Sequence, residues 1–329
     1  MFDWQQKQLQ HITKAGANLP HALLLNGASG IGKHAFALGL SKALLCNKPT
    51  AQFLACGTCP SCTWFAESAH PDFRLIEPED ADSADDAPKK KTTKKRQISI
   101  AKIRQLVDYL SLSSHQVNAR RVILISPAEL LNNASANALL KILEEPPENT
   151  LFLLVTSQMQ RLLPTIISRC QKIDMPKPTR ADALAWLQTQ QVSNAENVLD
   201  YARGAPLLAL QIAEEGDVII TMTKQLALGA KLDPFASAPI FLGVGMERAI
   251  DTLQKWIFDL ITFQHAQVLC FNTAYGNAFQ ALSKSVNLNL LLTFQDKLIN
   301  AKKTADHPLS NEVQLENILL QYTQLFKPI

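Results

Sequence analysis

Glycine is scarce in this sequence, with 12 among 329 residues, and no apolar run approaches the roughly 20 residues a membrane-spanning helix needs. Lys and Arg number 32 against 29 Asp and Glu, an excess of only three. Charge so nearly balanced does not by itself mark a nucleic-acid binder, although a local basic face stays open. The opening residues, Met1-Phe2-Asp3-Trp4-Gln5, are polar and amphipathic and lack the layout of a signal peptide. The chain is therefore read as cytoplasmic, with no membrane partner. What it does have is 47% apolar residues in a length sufficient for two or three domains and a large core. That composition describes a soluble globular protein.

The first half alternates short apolar strands with helical patterns, as α/β layer folds do. Strands are predicted at His21–Asn26, Phe73–Glu77, Val122–Ser126, Leu151–Thr156 and Gln171–Asp174. They are nearly continuous in apolar residues, as parallel strands buried on both faces are. Helices are predicted at Lys33–Cys46, Ile100–Leu112, Ala134–Glu145 and Pro164–Ser168; Asn133 is the expected cap of the third, and Pro146-Pro147 its stop. An acidic block (Glu77, Glu79, Asp80, Asp82, Asp85, Asp86) runs into a basic one (Lys89, Lys90, Lys91, Lys94, Lys95, Arg96). So polar a stretch, near 77–96, reads as a mobile surface insertion, with a DNA-contacting tail as the lesser reading. Beyond Pro176–Pro178 the pattern turns wholly helical. Thr179 or Asp182 can start the first of those helices, and Gly204 can end the second.

Gly27-Ala28-Ser29-Gly30-Ile31-Gly32-Lys33-His34 follows the first strand and opens a helix. This is the G-x-x-x-x-G-K frame, in which backbone N–H groups cradle phosphates and the lysine reaches the outer ones. Gly27, Gly30, Gly32 and Lys33 are thus the candidate nucleotide-binding residues, the plain alternative being a glycine turn without a ligand. Two parts are missing. The Ser or Thr that would bind Mg²⁺ is His34, and Ser126-Pro127 stands where a later strand should end in an Asp-Glu pair. Glu129, three residues on, reads as a surface or capping group. ATP binding is doubtful on these grounds, and hydrolysis is not expected.

Cys46, Cys56, Cys59 and Cys62 cluster, with Gly57 and Pro60 supplying turns between the last three. In a reducing compartment such spacing points to metal before disulfides, and four thiolates closing a tetrahedral shell make a structural Zn²⁺ site. An iron–sulfur run would need cysteine at Ala66. His70 is a weaker spare ligand, and unmetallated thiols are the alternative. Cys170 and Cys270 are isolated and read as core residues.

Together, the loop, the cysteines, the string Ala136-Asn137-Ala138-Leu139-Leu140-Lys141-Ile142-Leu143-Glu144-Glu145-Pro146-Pro147 and the triplet Ser168-Arg169-Cys170 carry a resemblance. Over residues 21 to about 175 the chain resembles the AAA+ clamp-loader subunits of bacterial DNA polymerase III. The resemblance implies an α/β AAA+ P-loop module at 1–176 (a parallel sheet flanked by helices), carrying the zinc insertion at 46–62. It implies a small helical lid domain at 177–217 and a C-terminal all-α collar domain at 218–329. It also implies a hetero-pentamer with gamma/tau-type ATPase subunits and a delta subunit, which opens a sliding clamp and sets it on primed DNA irrespective of base sequence. In that family the S-R-C arginine reaches a neighbour's ATP, so Arg169, with Ser168, is expected to act in trans. Thr156 corresponds to the polar sensor of the γ-phosphate. A further arginine of active members falls at Leu207, within Gly204-Ala205-Pro206-Leu207-Leu208. Three losses at one ATP site beside a retained finger imply a subunit without ATPase of its own, working within a DNA-directed DNA polymerase (nucleotidyltransferase) holoenzyme. The alternatives are a gamma/tau-like ATPase that tolerates His34 and Ser126, and a free-standing zinc module that binds DNA. The helix opening at Asn133–Asn137 is the expected DNA-facing element, with a purely stabilising role for Asn137 and Lys141 weighed equally.

Overall fold

The computed structural model describes residues 1–14, 19–78, 97–111, 120–215, 218–303 and 311–326. Most of the acid-then-base stretch, residues 79–96, lies outside the described residues. The chain divides into two compact units, Met1–Pro178 and Thr179–Ile329.

In the first unit, β1 (Ala22–Asn26), β2 (Phe73–Ile76), β3 (Arg121–Ile125), β4 (Thr150–Thr156) and β5 (Gln171–Asp174) form a parallel sheet in the order β2-β3-β4-β1-β5. Side chains alternate between faces along each strand. Leu24, Ile123, Ile125, Phe152 and Leu154 join one core cluster, while Leu23, Leu25, Leu124 and Leu153 are as fully buried. Both faces are therefore covered, and the strands carry apolar runs instead of alternating with polar residues. The surrounding helices are α1 (Gln6–Lys14), α2 (Lys33–Leu45), α3 (Pro60–Ala66), α4 (Ile100–Ser111), α5 (Asn133–Glu144) and α6 (Pro164–Ile167). This is the α/β class expected from the sequence, a parallel sheet flanked by helices.

The ends of α5 show how local chemistry sets an element. Its cap is Asn132, not the predicted Asn133: the Asn132 side chain accepts the Ser135 N–H at 2.8 Å, while Asn133 is exposed. A cap must reach the N–H three residues on, and adjacent asparagines do not reveal which one does. At the other end Glu145 leaves the helical region (φ −124°, ψ 71°). The ring of Pro146 disfavours helical backbone in the residue before it.

The second unit is helical throughout its described residues. It comprises α7 (Arg180–Thr189), α8 (Ala195–Tyr201), α9 (Pro206–Glu214), α10 (Val218–Leu226), α11 (Pro234–Leu242), α12 (Met246–Ala266), α13 (Gly276–Leu282), α14 (Leu288–Lys303) and α15 (Asn311–Gln324). Thr179 caps α7 by accepting the Asp182 N–H at 3.2 Å. Past α8 the left-handed turn takes two residues, Arg203 (φ 52°) and Gly204 (φ 78°). One core cluster gathers Ala183, Leu187, Leu199, Ala209 and Ile219; the other centres on Trp256, Phe241 and Tyr322. Helix α10 feeds both, through Ile219 on one side and Met222 and Leu226 on the other. The expected lid–collar boundary at 217/218 falls beside residues 216–217, which lie outside the described residues.

Candidate functional site

The glycine loop follows the C-terminal end of β1 and leads into α2, whose first turn has no side-chain cap. Gly32 needs to be glycine: its φ is +88°, and a Cβ there would lie 2.5 Å from the Phe2 ring. The N-terminal turn Asp3–Gln5 presses on the loop at this point. The Gln5 amide, 1% exposed, donates to the carbonyls of Ile31 (3.2 Å) and Gly32 (2.9 Å), and the Trp4 indole donates to Ile31 at 3.1 Å. Nothing in the sequence pattern marked Gln5 for this role, because the contact joins residues 26 and 27 positions apart.

Lys33 is buried, 5% exposed, and its ammonium is already engaged. It donates to the Ala28 carbonyl at 2.6 Å and to the Ser157 hydroxyl at 3.0 Å. Burial lowers its pKa from the ordinary 10.5 to about 8, against the opposing pull of the Glu129 carboxylate. Glu129, expected as a surface or capping group, instead turns one carboxylate oxygen inward. It lies half-buried on the turn after β3 and accepts the Ser157 N–H at 3.0 Å, while its other carboxylate oxygen is buried without a partner. Thr156 is fully buried at the end of β4, where its hydroxyl accepts the Gln158 N–H at 3.1 Å. The hydroxyl that meets Lys33 belongs to Ser157, one residue on.

The two residues standing where Mg²⁺ ligands would be are bonded to each other. His34 Nδ1 lies 3.0 Å from Ser126 Oγ, and the other face of the ring has Glu77 at 4.0 Å. Pro127, joined to Ser126 by a cis peptide, brings no charge to the site. Mg²⁺ demands a near-octahedral shell of oxygens, usually including a carboxylate. An imidazole paired with a serine hydroxyl does not supply one.

Arg169 precedes β5, the strand next to β1, at the end of the strands opposite the loop. In the parallel β1–β5 pairing Leu23 faces Gln171 and Asn26 faces Asp174. The loop begins after Asn26, whereas Arg169 comes before Gln171. From Leu23, level with Gln171, to Gly27 is already four strand steps, about 13 Å at 3.3 Å each. The geometry does not bring Arg169 to this chain's own loop. Its guanidinium is one-third exposed and donates to the Thr165 carbonyl (3.1 Å) and to the Glu144 carboxylate (2.5 Å). Ser168 turns back to donate to the Thr165 carbonyl at 3.0 Å. Cys170 packs against the core, and burial pushes its thiol up to about 11.

The four clustered cysteines do converge. Sγ–Sγ distances are 3.5 Å (Cys46–Cys56), 3.9 Å (Cys46–Cys59) and 4.0 Å (Cys56–Cys62), and all four sulfurs lie within 4.8 Å of one another. A tetrahedron with metal–sulfur bonds of about 2.3 Å has edges of about 3.8 Å, so the cluster suits an ion such as zinc. Helix ends aim the ligands: Cys46 closes α2, Cys59 precedes Pro60 at the start of α3, and Cys62 sits in its first turn. Backbone N–H groups of Thr58 and Cys59 lower the Cys56 thiol to about 6, while burial raises Cys62 to about 12. His70 is not a spare ligand, since both ring nitrogens are in use. Nδ1 accepts the Asp72 N–H at 3.1 Å, and Nε2 lies 2.9 Å from the Ser61 hydroxyl, which donates to Leu45. Burial lowers the His70 pKa, with Asp72 opposing, which favours the neutral ring this arrangement needs.

On α5, Asn133, Asn137 and Lys141 are exposed at four-residue spacing and form one stripe. Asn137 and Lys141, with Arg104 of α4, line a groove of about 710 Å³ between the two helices.

A family model described as "DNA polymerase III, delta subunit" matches residues 4–179. The DNA polymerase III subunit delta' of Pseudomonas aeruginosa is 30% identical over 342 aligned residues, covering 100% of this chain and 99% of that one. The subunit of the same name from Escherichia coli K12 is 32% identical across 58% of this chain and 54% of its own length. Among solved structures, a gamma subunit-related protein of DNA polymerase III from Thermotoga maritima is similar at 19% identity. That alignment has a TM-score of 0.47 and covers 98% of this chain and 100% of that one.

Proposed function

The chain belongs to the delta-prime family of DNA polymerase III clamp-loader subunits, and on that footing we propose that it hydrolyses no ATP and completes a neighbour's ATP site with Arg169. The observation carrying this reading is the direct His34–Ser126 hydrogen bond at the Mg²⁺ position. With Lys33 engaged by Ala28 and Ser157, the loop serves as a scaffold between β1 and α2. Gly27, Gly30, Gly32, Lys33 and Thr156 form a vestigial nucleotide site on this account. Arg169 lies at the N-terminal end of β5, the opposite end of the strands from the loop, which favours action in trans. A guanidinium can bond two phosphate oxygens side by side, and such a finger contributes about 10³–10⁵ in turnover where it acts.

Zn²⁺ held by Cys46, Cys56, Cys59 and Cys62 fixes the excursion between α2 and α3, with no open position for substrate. Partners are gamma/tau-type ATPase subunits and a delta subunit in a hetero-pentamer, together with the sliding clamp and primed DNA. Asn133, Asn137 and Lys141 offer polar contacts to phosphates, so DNA affinity falls with salt and ignores base sequence.

Two measurements test the reading. The isolated chain is expected to show no Mg²⁺-dependent ATP turnover; robust hydrolysis would overturn it and favour a gamma/tau-like enzyme. In a reconstituted loader, Arg169→Ala is expected to lower clamp- and DNA-stimulated ATPase while the complex still assembles. Unchanged turnover would refute the finger.

A further inference from the structure

Glu144, the last residue of α5, sits with its carboxylate 2.5 Å from the Arg169 guanidinium. We propose that Glu144 is the positioning residue for Arg169, holding the guanidinium ready for the neighbour's triphosphate; the inference rests on the trans-finger reading above. Arg169 is fastened at two points. One Nη donates to the Thr165 carbonyl at 3.1 Å within its own turn, and the other to Glu144, 25 residues earlier. Two points fix a planar fork against rotation about its long stem. An arginine has five N–H donors, so three remain for an incoming oxyanion.

The carboxylate is itself held from below. Leu143, beside it, and Ile166, three residues before Arg169, are buried in the same core cluster, which locks the end of α5 against α6. Pro146 ends α5 just beyond, so the helix cannot extend and carry Glu144 away. The E-E-P-P string thereby acquires a task in the reaction.

Orientation, not inhibition, is the consequence. Both groups are substantially exposed, 34% and 49%, and an exposed pair changes an equilibrium by no more than about fivefold. That is too little to withhold an arginine from a Mg²⁺-bound triphosphate carrying several negative charges. It is enough to favour one rotamer of a flexible side chain.

The test compares Glu144→Ala, Glu144→Gln, Arg169→Ala and the Glu144→Ala/Arg169→Ala double variant in the reconstituted loader. ATPase is measured with clamp and primed DNA, and assembly by size exclusion. Of the turnover that Arg169→Ala abolishes, Glu144→Ala is expected to remove a three- to fivefold share. Glu144→Gln, whose amide oxygen still accepts the guanidinium N–H, recovers most of that loss. On the Arg169→Ala background, Glu144→Ala changes nothing further. Wild-type turnover in Glu144→Ala beside an impaired Arg169→Ala overturns the inference and leaves the finger standing. An equal loss on both backgrounds, or failed assembly, makes Glu144 a support of the fold and also overturns it. If Arg169→Ala is itself unimpaired, the finger reading fails first.

Discussion

Lys33 holds the motif position from which a lysine reaches phosphate, and its ammonium is hydrogen-bonded within its own chain, to a loop carbonyl and the Ser157 hydroxyl, with Glu129 nearby. Burial lowers its pKa from 10.5 to about 8, so between those values the unfolded chain binds a proton that the native chain does not. Stability from this residue therefore rises with pH across that window and is flat below it. Urea midpoints of the wild type and Lys33→Met, taken at pH 7.5 and 9.5, should separate in the wild type's favour as pH rises. Parallel shifts would show that Lys33 is not buried as a charged group. Residue identity signalled the missing hydroxyl and carboxylate. It did not signal that His34 and Ser126 bond each other, or that Glu129 turns inward, because those contacts cross 92 and 28 residues of sequence.

At the scale of elements, the strands were legible because burial on both faces writes itself as continuous apolar runs, and β5 matched its predicted range residue for residue. Helix ends were less so. The α5 cap moved by one asparagine, and the αL turn after α8 engages Arg203 as well as Gly204. The cysteine excursion between α2 and α3 has few apolar residues to hold it, with Leu54 and Trp64 both about 40% exposed. On the proposed reading, Zn²⁺ supplies the cohesion that packing does not. Purified protein should carry about one zinc per chain. If the ion contributes even ~3 kcal/mol, a strong chelator lowers Tm by roughly 6–12 °C for a unit of this size. Cys59→Ala should reproduce that drop without chelator. Protein free of metal whose Tm ignores chelator would remove the zinc assignment. Asp259 went unremarked in the sequence, yet its fully buried carboxylate accepts the N–H groups of Cys270, Phe271 and Asn272 and the Asn272 amide. One of three acids in a long amphipathic helix gives no hint that a loop will fold over it.

For the whole molecule, each unit has its own buried clusters, so each contains what it needs to fold. The division of labour proposed here puts the finger and the zinc in residues 1–178, and assembly in the helical remainder. Fragment 179–329 should then fold alone, co-elute with the ATPase partners and displace the full chain, lowering Arg169-dependent turnover. Fragment 1–178 should fold and bind zinc without joining the complex. Assembly by fragment 1–178 instead would move the oligomerisation surface out of the collar. Motifs concentrated in the first unit made that half readable, whereas the second offered, beyond the Gly204–Leu208 stretch, only amphipathic helices, a pattern many all-α folds share.

The sequence by itself determined the α/β class, the cysteines able to hold a metal and the absence of a hydroxyl after Lys33 and of an Asp-Glu pair after β3. Each depends on residue type at short spacing, through strand burial, thiolate chemistry or the absence of a carboxylate. Tertiary structure alone decided what these side chains meet: Ser157 and Ala28 on Lys33, Ser126 on His34, Gln5 under the loop and Glu144 on Arg169. Those partners meet only when the sheet and helices close, so most are set by packing between distant segments and leave no period or motif along the chain.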